Sequence, residues 1–134
     1  MGFLQWDDSL KLGVDQMDHQ HENLINLMNT LFDQNKAGES FDVLKGTLDR
    51  LAAATKEHFD EEEKYQLKIG YEKYGIHKKI HEDLLKKFTE HYEKFIEERA
   101  VTDGLFSFLS LWLRSHIRGV DKGYADISKK DFAA

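Results

Sequence analysis

Proline is absent from the 134-residue chain, and apolar residues recur three and four positions apart in four successive segments. This spacing places apolar side chains on one face of a helix, and no strand-like alternation is sustained. We therefore expect helices with apolar faces at 24–32, 43–52, 76–96 and 105–117. Ser40 is a suitable N-cap for the second helix, whose inner face is predicted to include Val43. Ile76 belongs to the third helix, predicted over about 71–99.

The breaks between the four segments are short, reading KAGES, KIGYE and AVTDG. Short connections force consecutive helices to run antiparallel, so the expected fold is all-α: an up-down-up-down four-helix bundle. We predict one domain over 1–134, with an extended N-terminal arm over 1–17 and the bundle over 18–121. The segment 122–134 is predicted to form a short C-terminal helix.

Composition excludes several classes of protein. The chain has no cysteine, which rules out thiolate-ligated zinc, iron–sulfur clusters and a disulfide scaffold. Its formal charge of −6 and its lack of a basic stripe indicate no nucleic-acid partner. No signal peptide and no run of 18 uncharged apolar residues is found, so we expect a cytoplasmic protein without a membrane segment.

Five of the seven histidines fall at one end of the predicted bundle. His21 lies near the start of the first helix and His58 near the end of the second, so antiparallel packing brings them to the same level. The third helix opens with His77 and His81, in the stretch HKKIH, and His116 closes the fourth. All four helices therefore deliver imidazoles to one level of the bundle.

Two carboxylates share this end, since Glu62 follows His58 by four residues and Asp121 follows His116 by five. Each piece has an ordinary interpretation as solvated surface or as a hydrogen-bonded core histidine, but their joint convergence indicates a metal site. Imidazole and carboxylate suit iron, manganese, zinc or copper. The set is too large for one tetrahedral zinc and suits two ions bridged by carboxylates. A zinc pair and a bis-histidine haem stay open as alternatives.

His116 and Asp121 cannot both point inward from a regular helix, because residues five apart lie about 140° apart around its axis. We expect the backbone to widen locally into a π-type bulge or a loosened last turn. Gly119 makes this widening easier.

The motifs and their order resemble those of the bacterial hemerythrins over nearly the whole chain. The matching positions are, in order, 6–7 (WD), 12–14 (LGV), 18–21 (DHQH), 58–63 (HFDEEE), 77–81 (HKKIH) and 112–121 (WLRSHIRGVD). The resemblance implies a non-haem di-iron centre (Fe2+/Fe3+) with a solvent-derived oxo or hydroxo bridge, binding dioxygen reversibly. It assigns no role to His19 or His91.

Carried over motif by motif, the implied ligands are three histidines on one iron, two on the other and two bridging carboxylates: His77, His81 and His116; His21 and His58; Glu62 and Asp121. The iron with two histidines keeps an open position for dioxygen. An apolar pocket that limits the entry of water would be lined by Phe59, Trp112, Leu113 and Ile117, with Gln66 also near the site.

The chain departs from the family pattern at Gln66, where many members have methionine, and at Glu72, where a proline is common. Gln66 is expected to admit water and to favour oxidation to the diferric state. We therefore predict an oxygen or redox sensor module, or an oxygen-binding protein, with a C-terminal signalling output domain as a possible partner. A free-standing oxygen carrier is the alternative. A di-iron enzyme fits less well, because such enzymes have more carboxylate ligands.

Overall fold

The computed structural model describes residues 15–116, which form four helices. They are α1 (Asp15–Lys36), α2 (Phe41–Ile69), α3 (Tyr74–Glu98) and α4 (Asp103–Ser115). Four-residue connections join them at 37–40, 70–73 and 99–102, and consecutive helices pack against one another. The predicted all-α, up-down-up-down four-helix bundle is confirmed. Within the described residues, no helix is long and apolar enough to cross a bilayer.

The start of α1 differs slightly from the sequence prediction. The helix begins at Asp15, whereas the arm was expected to continue to residue 17. Met17 is fully buried in the hydrophobic core, so packing favours helix over these residues. The remainder of the predicted arm and the whole of the predicted C-terminal helix lie outside the described residues.

The side-chain hydroxyl of Ser40 accepts a hydrogen bond from the backbone N–H of Val43 at 3.3 Å, which confirms the predicted N-cap of α2. Ser40→Ala removes this acceptor, and we expect the free energy of unfolding to fall by about 1 kcal/mol. Chemical denaturation measures the loss. Ser107→Ala, at an exposed position inside α4, is the matched control and should change it by less than about 0.5 kcal/mol. Equal effects of the two substitutions would contradict the capping role.

The turn between α2 and α3 is set by Gly70, which adopts a left-handed conformation with φ of 68°. The next backbone N–H, that of Tyr71, donates to the carbonyl of Gln66 at 2.9 Å and closes the end of α2. The chain then needs a further turn before it is helical again. For this reason α3 begins at Tyr74, three residues later than expected.

The hydrophobic core runs the length of the bundle and includes Met28, Leu48, Leu51 and Leu109, each fully buried. Some apolar residues placed on helix faces by their spacing instead face outward. Val43 in the first turn of α2 is 39% exposed, and Ile76 in α3 is 64% exposed.

The inner face of α3 explains why Ile76 was misplaced. Its buried side chains are His77, His81, Phe88 and Phe95, at spacings of four and seven residues. Two histidines thus occupy the inward positions of the first turns, and the apolar residue beside them points to solvent.

A polar link outside the core joins α2 to α3. The hydroxyl of Tyr92 donates to Oδ1 of Asp49 at 2.5 Å, and Nζ of Lys45 lies 2.9 Å from Oδ2. The hydrogen bond to Asp49 raises the pKa of Tyr92, and the hydrogen bond from Tyr92 lowers the pKa of Asp49. This contact helps to fix the relative positions of the two helices that carry most of the buried histidines.

Candidate metal centre

Six of the seven predicted ligands lie together at one end of the bundle, and the seventh, Asp121, lies outside the described residues. Their relative exposure ranges only from 0% to 3%, for His21, His58, Glu62, His77, His81 and His116. α1 contributes one side chain, α2 and α3 contribute two each, and the last described residue follows α4. Imidazoles and carboxylates are seldom buried without partners, so this concentration of them requires a chemical explanation.

Glu62 lies at the centre of the cluster, and its two carboxylate oxygens face different sets of histidines. Oε1 lies 2.8 Å from Nε2 of His81, 3.1 Å from Nε2 of His77 and 3.5 Å from Nε2 of His116. These four residues form one group able to hold an ion.

The second oxygen of Glu62 faces the other side of the cluster. Oε2 lies 3.3 Å from Nε2 of His58 and 3.6 Å from Nε2 of His21. These three residues form a second group whose candidate ligand atoms lie within 4.8 Å of one another. One carboxylate therefore belongs to both groups, as a bridge between two ions requires.

Hydrogen bonds on the far side of two rings determine which nitrogen faces the cluster. Nδ1 of His58 donates to Oε1 of Gln20 at 2.6 Å, and Nδ1 of His81 donates to Oε2 of Glu63 at 3.2 Å. Since these acceptors carry no proton, the proton of each neutral ring is on Nδ1. The Nε2 lone pairs then point at Glu62.

The distances between these nitrogen and oxygen atoms can be compared with those expected around a bound metal ion. If the His81 ring is neutral, its Nε2 lone pair lies 2.8 Å from a carboxylate oxygen, and either a proton on Nε2 or a metal ion between the two atoms relieves the repulsion. Nε2 of His116 is likewise 3.1 Å from Nε2 of His77 and 3.0 Å from Nε2 of His81. Two ligands at right angles, each about 2.1 Å from one ion, lie about 3.0 Å apart. The donor set fits bound metal ions.

The electrostatics of the cluster keep Glu62 ionised. Without metal, when the rings can take up protons, burial raises the pKa of Glu62, but the positive charge of His58 and the hydrogen bonds from His116, His21 and His58 outweigh burial and hold that pKa well below its ordinary value. A carboxylate that stays charged is a better metal ligand than a protonated one.

An apolar wall covers one side of the cluster. The ring of Phe59 stacks on His81 with 3.9 Å between centroids and 6° between planes, and Trp112 meets Phe59 edge to face at 5.5 Å. Leu113 is fully buried in the same turn of α4. Ile117, the fourth apolar residue predicted to line the pocket, lies outside the described residues.

Gln66 is fully buried one turn beyond Glu62, and its side-chain amide contacts Nδ1 of His77. It therefore touches the group of three histidines rather than the pair formed by His21 and His58. The position of Gln66 near the site was predicted from the sequence, whereas its contact with His77 was not.

The backbone was predicted to widen locally at the end of α4, between His116 and Asp121. The backbone is α-helical through Ser115, and His116 keeps helical dihedral angles (φ −65°, ψ −48°), with its backbone N–H directed to the carbonyls of Leu113 and Trp112. Gly119 and Asp121, on which the rest of that prediction depends, lie outside the described residues.

The comparisons with known proteins agree with this geometry. The sequence profile of the hemerythrin HHE cation binding domain matches residues 12–127. The chain belongs to the hemerythrin family. It is 34% identical over 126 residues to a bacteriohemerythrin of Stenotrophomonas maltophilia, covering 94% of this chain and 82% of the relative. A bacteriohemerythrin of Clostridium acetobutylicum is 29% identical and is covered to 98%, with 90% of this chain matched.

Solved hemerythrin structures have the same fold. A crystal structure of wild-type hemerythrin superposes with a TM-score of 0.83 at 28% identity, covering 92% of this chain and 95% of that one. A hemerythrin variant with a leucine replaced by alanine gives a TM-score of 0.85 at 27% identity, with 94% and 97% covered. Membership of the hemerythrin family confirms the expectation that the chain is not an enzyme.

The two histidines without an assigned role lie apart from this hemerythrin cluster. His19 is exposed on α1. The ring of His91 stacks on Phe108 with 4.9 Å between centroids, in the second half of α3. Neither belongs to the two groups able to hold an ion.

Proposed function

We propose that residues 1–134 form a single hemerythrin-like domain that binds dioxygen at a non-haem di-iron centre and acts as an oxygen or redox sensor. The proposed ligands of one iron are His77, His81 and His116. The other iron is assigned to His21 and His58, with Glu62 and Asp121 as bridges. The observation that carries the proposal is the carboxylate of Glu62, which turns one oxygen to three imidazoles and the other to two.

Iron held by these residues would supply the electrons needed for reversible binding of dioxygen. The protein's contribution is to hold the ligands in place and to keep water away. The Nδ1 hydrogen bonds of His58 and His81 orient the rings, with their Nε2 atoms toward the centre. The apolar wall slows the entry of water and protons, and it consists of Phe59, Trp112 and Leu113.

The sensor function is supported by the buried amide of Gln66 beside His77. A polar group at this position favours a centre that is oxidised soon after oxygen arrives, and such a centre can report oxygen as a change of redox state. The output would then come from a signalling domain outside residues 1–134. We place the domain in the cytoplasm, because its sequence has no cysteine and no apolar span. A free-standing oxygen carrier is the second candidate, since the apolar wall suits long-lived binding of dioxygen equally well.

Oxygen mixing separates these functions. Protein loaded anaerobically with ferrous iron should develop a visible charge-transfer band when mixed with air-saturated buffer. In a sensor, we expect that band to decay quickly to a diferric spectrum. A carrier would keep the band and lose it only when oxygen is removed. Zinc-loaded protein is the control and should show no band. If the iron-loaded protein also shows none, oxygen binding at this centre is contradicted.

A further inference from the structure

The side-chain amide of Gln66 is buried against one of the proposed histidine ligands. Gln66 is fully buried, it lies one turn beyond Glu62 on α2, and its amide contacts Nδ1 of His77. Within residues 15–116, its Oε1 atom has no hydrogen-bond partner. A buried amide with an unsatisfied oxygen beside an imidazole nitrogen indicates that the two groups act together.

The chemistry of His77 determines how the amide must be oriented when the centre is filled. Nε2 of His77 lies 3.1 Å from Oε1 of Glu62, so this nitrogen faces the cluster. To offer a lone pair there, the neutral ring must carry its proton on Nδ1. That N–H needs an acceptor in a dry interior. A half-turn of the Gln66 amide about its Cγ–Cδ bond supplies the oxygen and gives that oxygen a donor.

We propose that Gln66 is a positioning residue for His77. Its amide oxygen accepts a hydrogen bond from Nδ1–H, holds Nε2 toward the centre and strengthens the imidazole as an electron donor. A stronger donor stabilises the higher charge of ferric iron, so Gln66 lowers the reduction potential of the centre. The inference rests on the proposed di-iron function and adds a specific residue that tunes it.

Glu63 provides a comparison within the same site. It accepts from Nδ1 of His81 through a charged carboxylate, which is a stronger acceptor than an amide. The amide of Gln66 should therefore strengthen its histidine as an electron donor less than a carboxylate would, but more than an apolar side chain would. Methionine or leucine at this position removes this effect, and glutamate increases it.

The test compares wild-type protein with Gln66→Met, Gln66→Leu and Gln66→Glu after anaerobic loading with ferrous iron. Chelator competition measures the affinity for iron, and spectroelectrochemical titration measures the midpoint potential. Thr55→Val is the matched control, because Thr55 is a buried polar residue of α2 that donates only to the carbonyl of Leu51 in its own helix. Circular dichroism checks that each variant is folded, and the methionine and leucine variants replace each other if one is not.

We expect the methionine and leucine variants to bind iron about 10–100-fold more weakly and to have a more positive midpoint potential. The glutamate variant should restore the affinity and have a more negative potential than wild type. Suppose that the wild-type chain binds two irons, but the methionine and leucine variants have the same iron affinity and midpoint potential as Thr55→Val. That result would overturn this inference and leave the proposed function intact. A wild-type chain that binds no iron would overturn the proposed function, and this inference with it.

Discussion

Glu62→Gln is expected to prevent the chain from holding two irons. Glutamine has nearly the same shape as glutamate but no charge, and only one of its two terminal atoms, the amide oxygen, can donate a lone pair to a metal ion. Both faces of the cluster use the same carboxylate, with Oε1 toward His81 and Oε2 toward His58. We expect iron affinity to fall by more than the 10–100-fold that is typical for loss of an outer hydrogen-bonding partner. Metal analysis after gel filtration measures iron per chain.

Glu61→Gln is the matched control for this substitution. Glu61 is the preceding residue of α2, and it contacts Lys64 and Gln16 at the surface rather than the cluster. The control should retain the full iron content and the same visible spectrum as wild type. Retention of two irons by Glu62→Gln would show that Glu62 is not the shared bridge.

Phe59→Ala is expected to have a large effect on both stability and oxidation. Phe59 is 1% exposed and stacks directly on His81, so its removal leaves a cavity against a proposed ligand. We expect the free energy of unfolding to fall by about 3–5 kcal/mol. Water that enters the cavity should also speed oxidation of the iron centre. Chemical denaturation measures the first effect, and stopped-flow absorbance after mixing with oxygen measures the second.

Phe95→Ala separates the two effects. Phe95 is equally buried, but it lies fourteen residues beyond His81 on α3, which is about 21 Å along a helix. It should lose similar stability while oxidation stays at the wild-type rate. If the two variants oxidise equally fast, general loosening of the bundle explains the faster oxidation. The proposal that Phe59 keeps water from the cluster is then wrong.

The architecture of the bundle was predictable because its causes are local. Apolar residues three and four apart specify helices, and four-residue connections leave consecutive helices no choice but to pack antiparallel. Ser40 and its bond to Val43 follow from cap chemistry alone. The convergence of histidines at one level needed only the chain direction of each helix.

Side-chain facing was less predictable where polar residues fill the core. Spacing alone placed Ile76 inward, but His77 and His81 take the inner positions of α3, and Ile76 is 64% exposed. A pattern that counts only apolar residues fails at a candidate metal centre, because the buried face there is made of the proposed ligands.

The hydrogen bonds behind the ligands depend on distances between helices, which the sequence does not specify. Gln20 on α1 and His58 on α2 are 38 residues apart and meet only in the folded bundle. The one sequence signal was the position of Gln20 directly before His21, within a motif of the family. Gln66 was noticed as a departure from the family pattern, but its contact with His77 required the structure.

Crystals of protein loaded anaerobically with ferrous iron, measured at the iron absorption edge, test the central claim most directly. We predict two anomalous peaks, one among His77, His81 and His116 and the other between His21 and His58, with Glu62 reaching both. No peak within the cluster, or a single peak with the carboxylate of Glu62 turned away from it, would contradict the account.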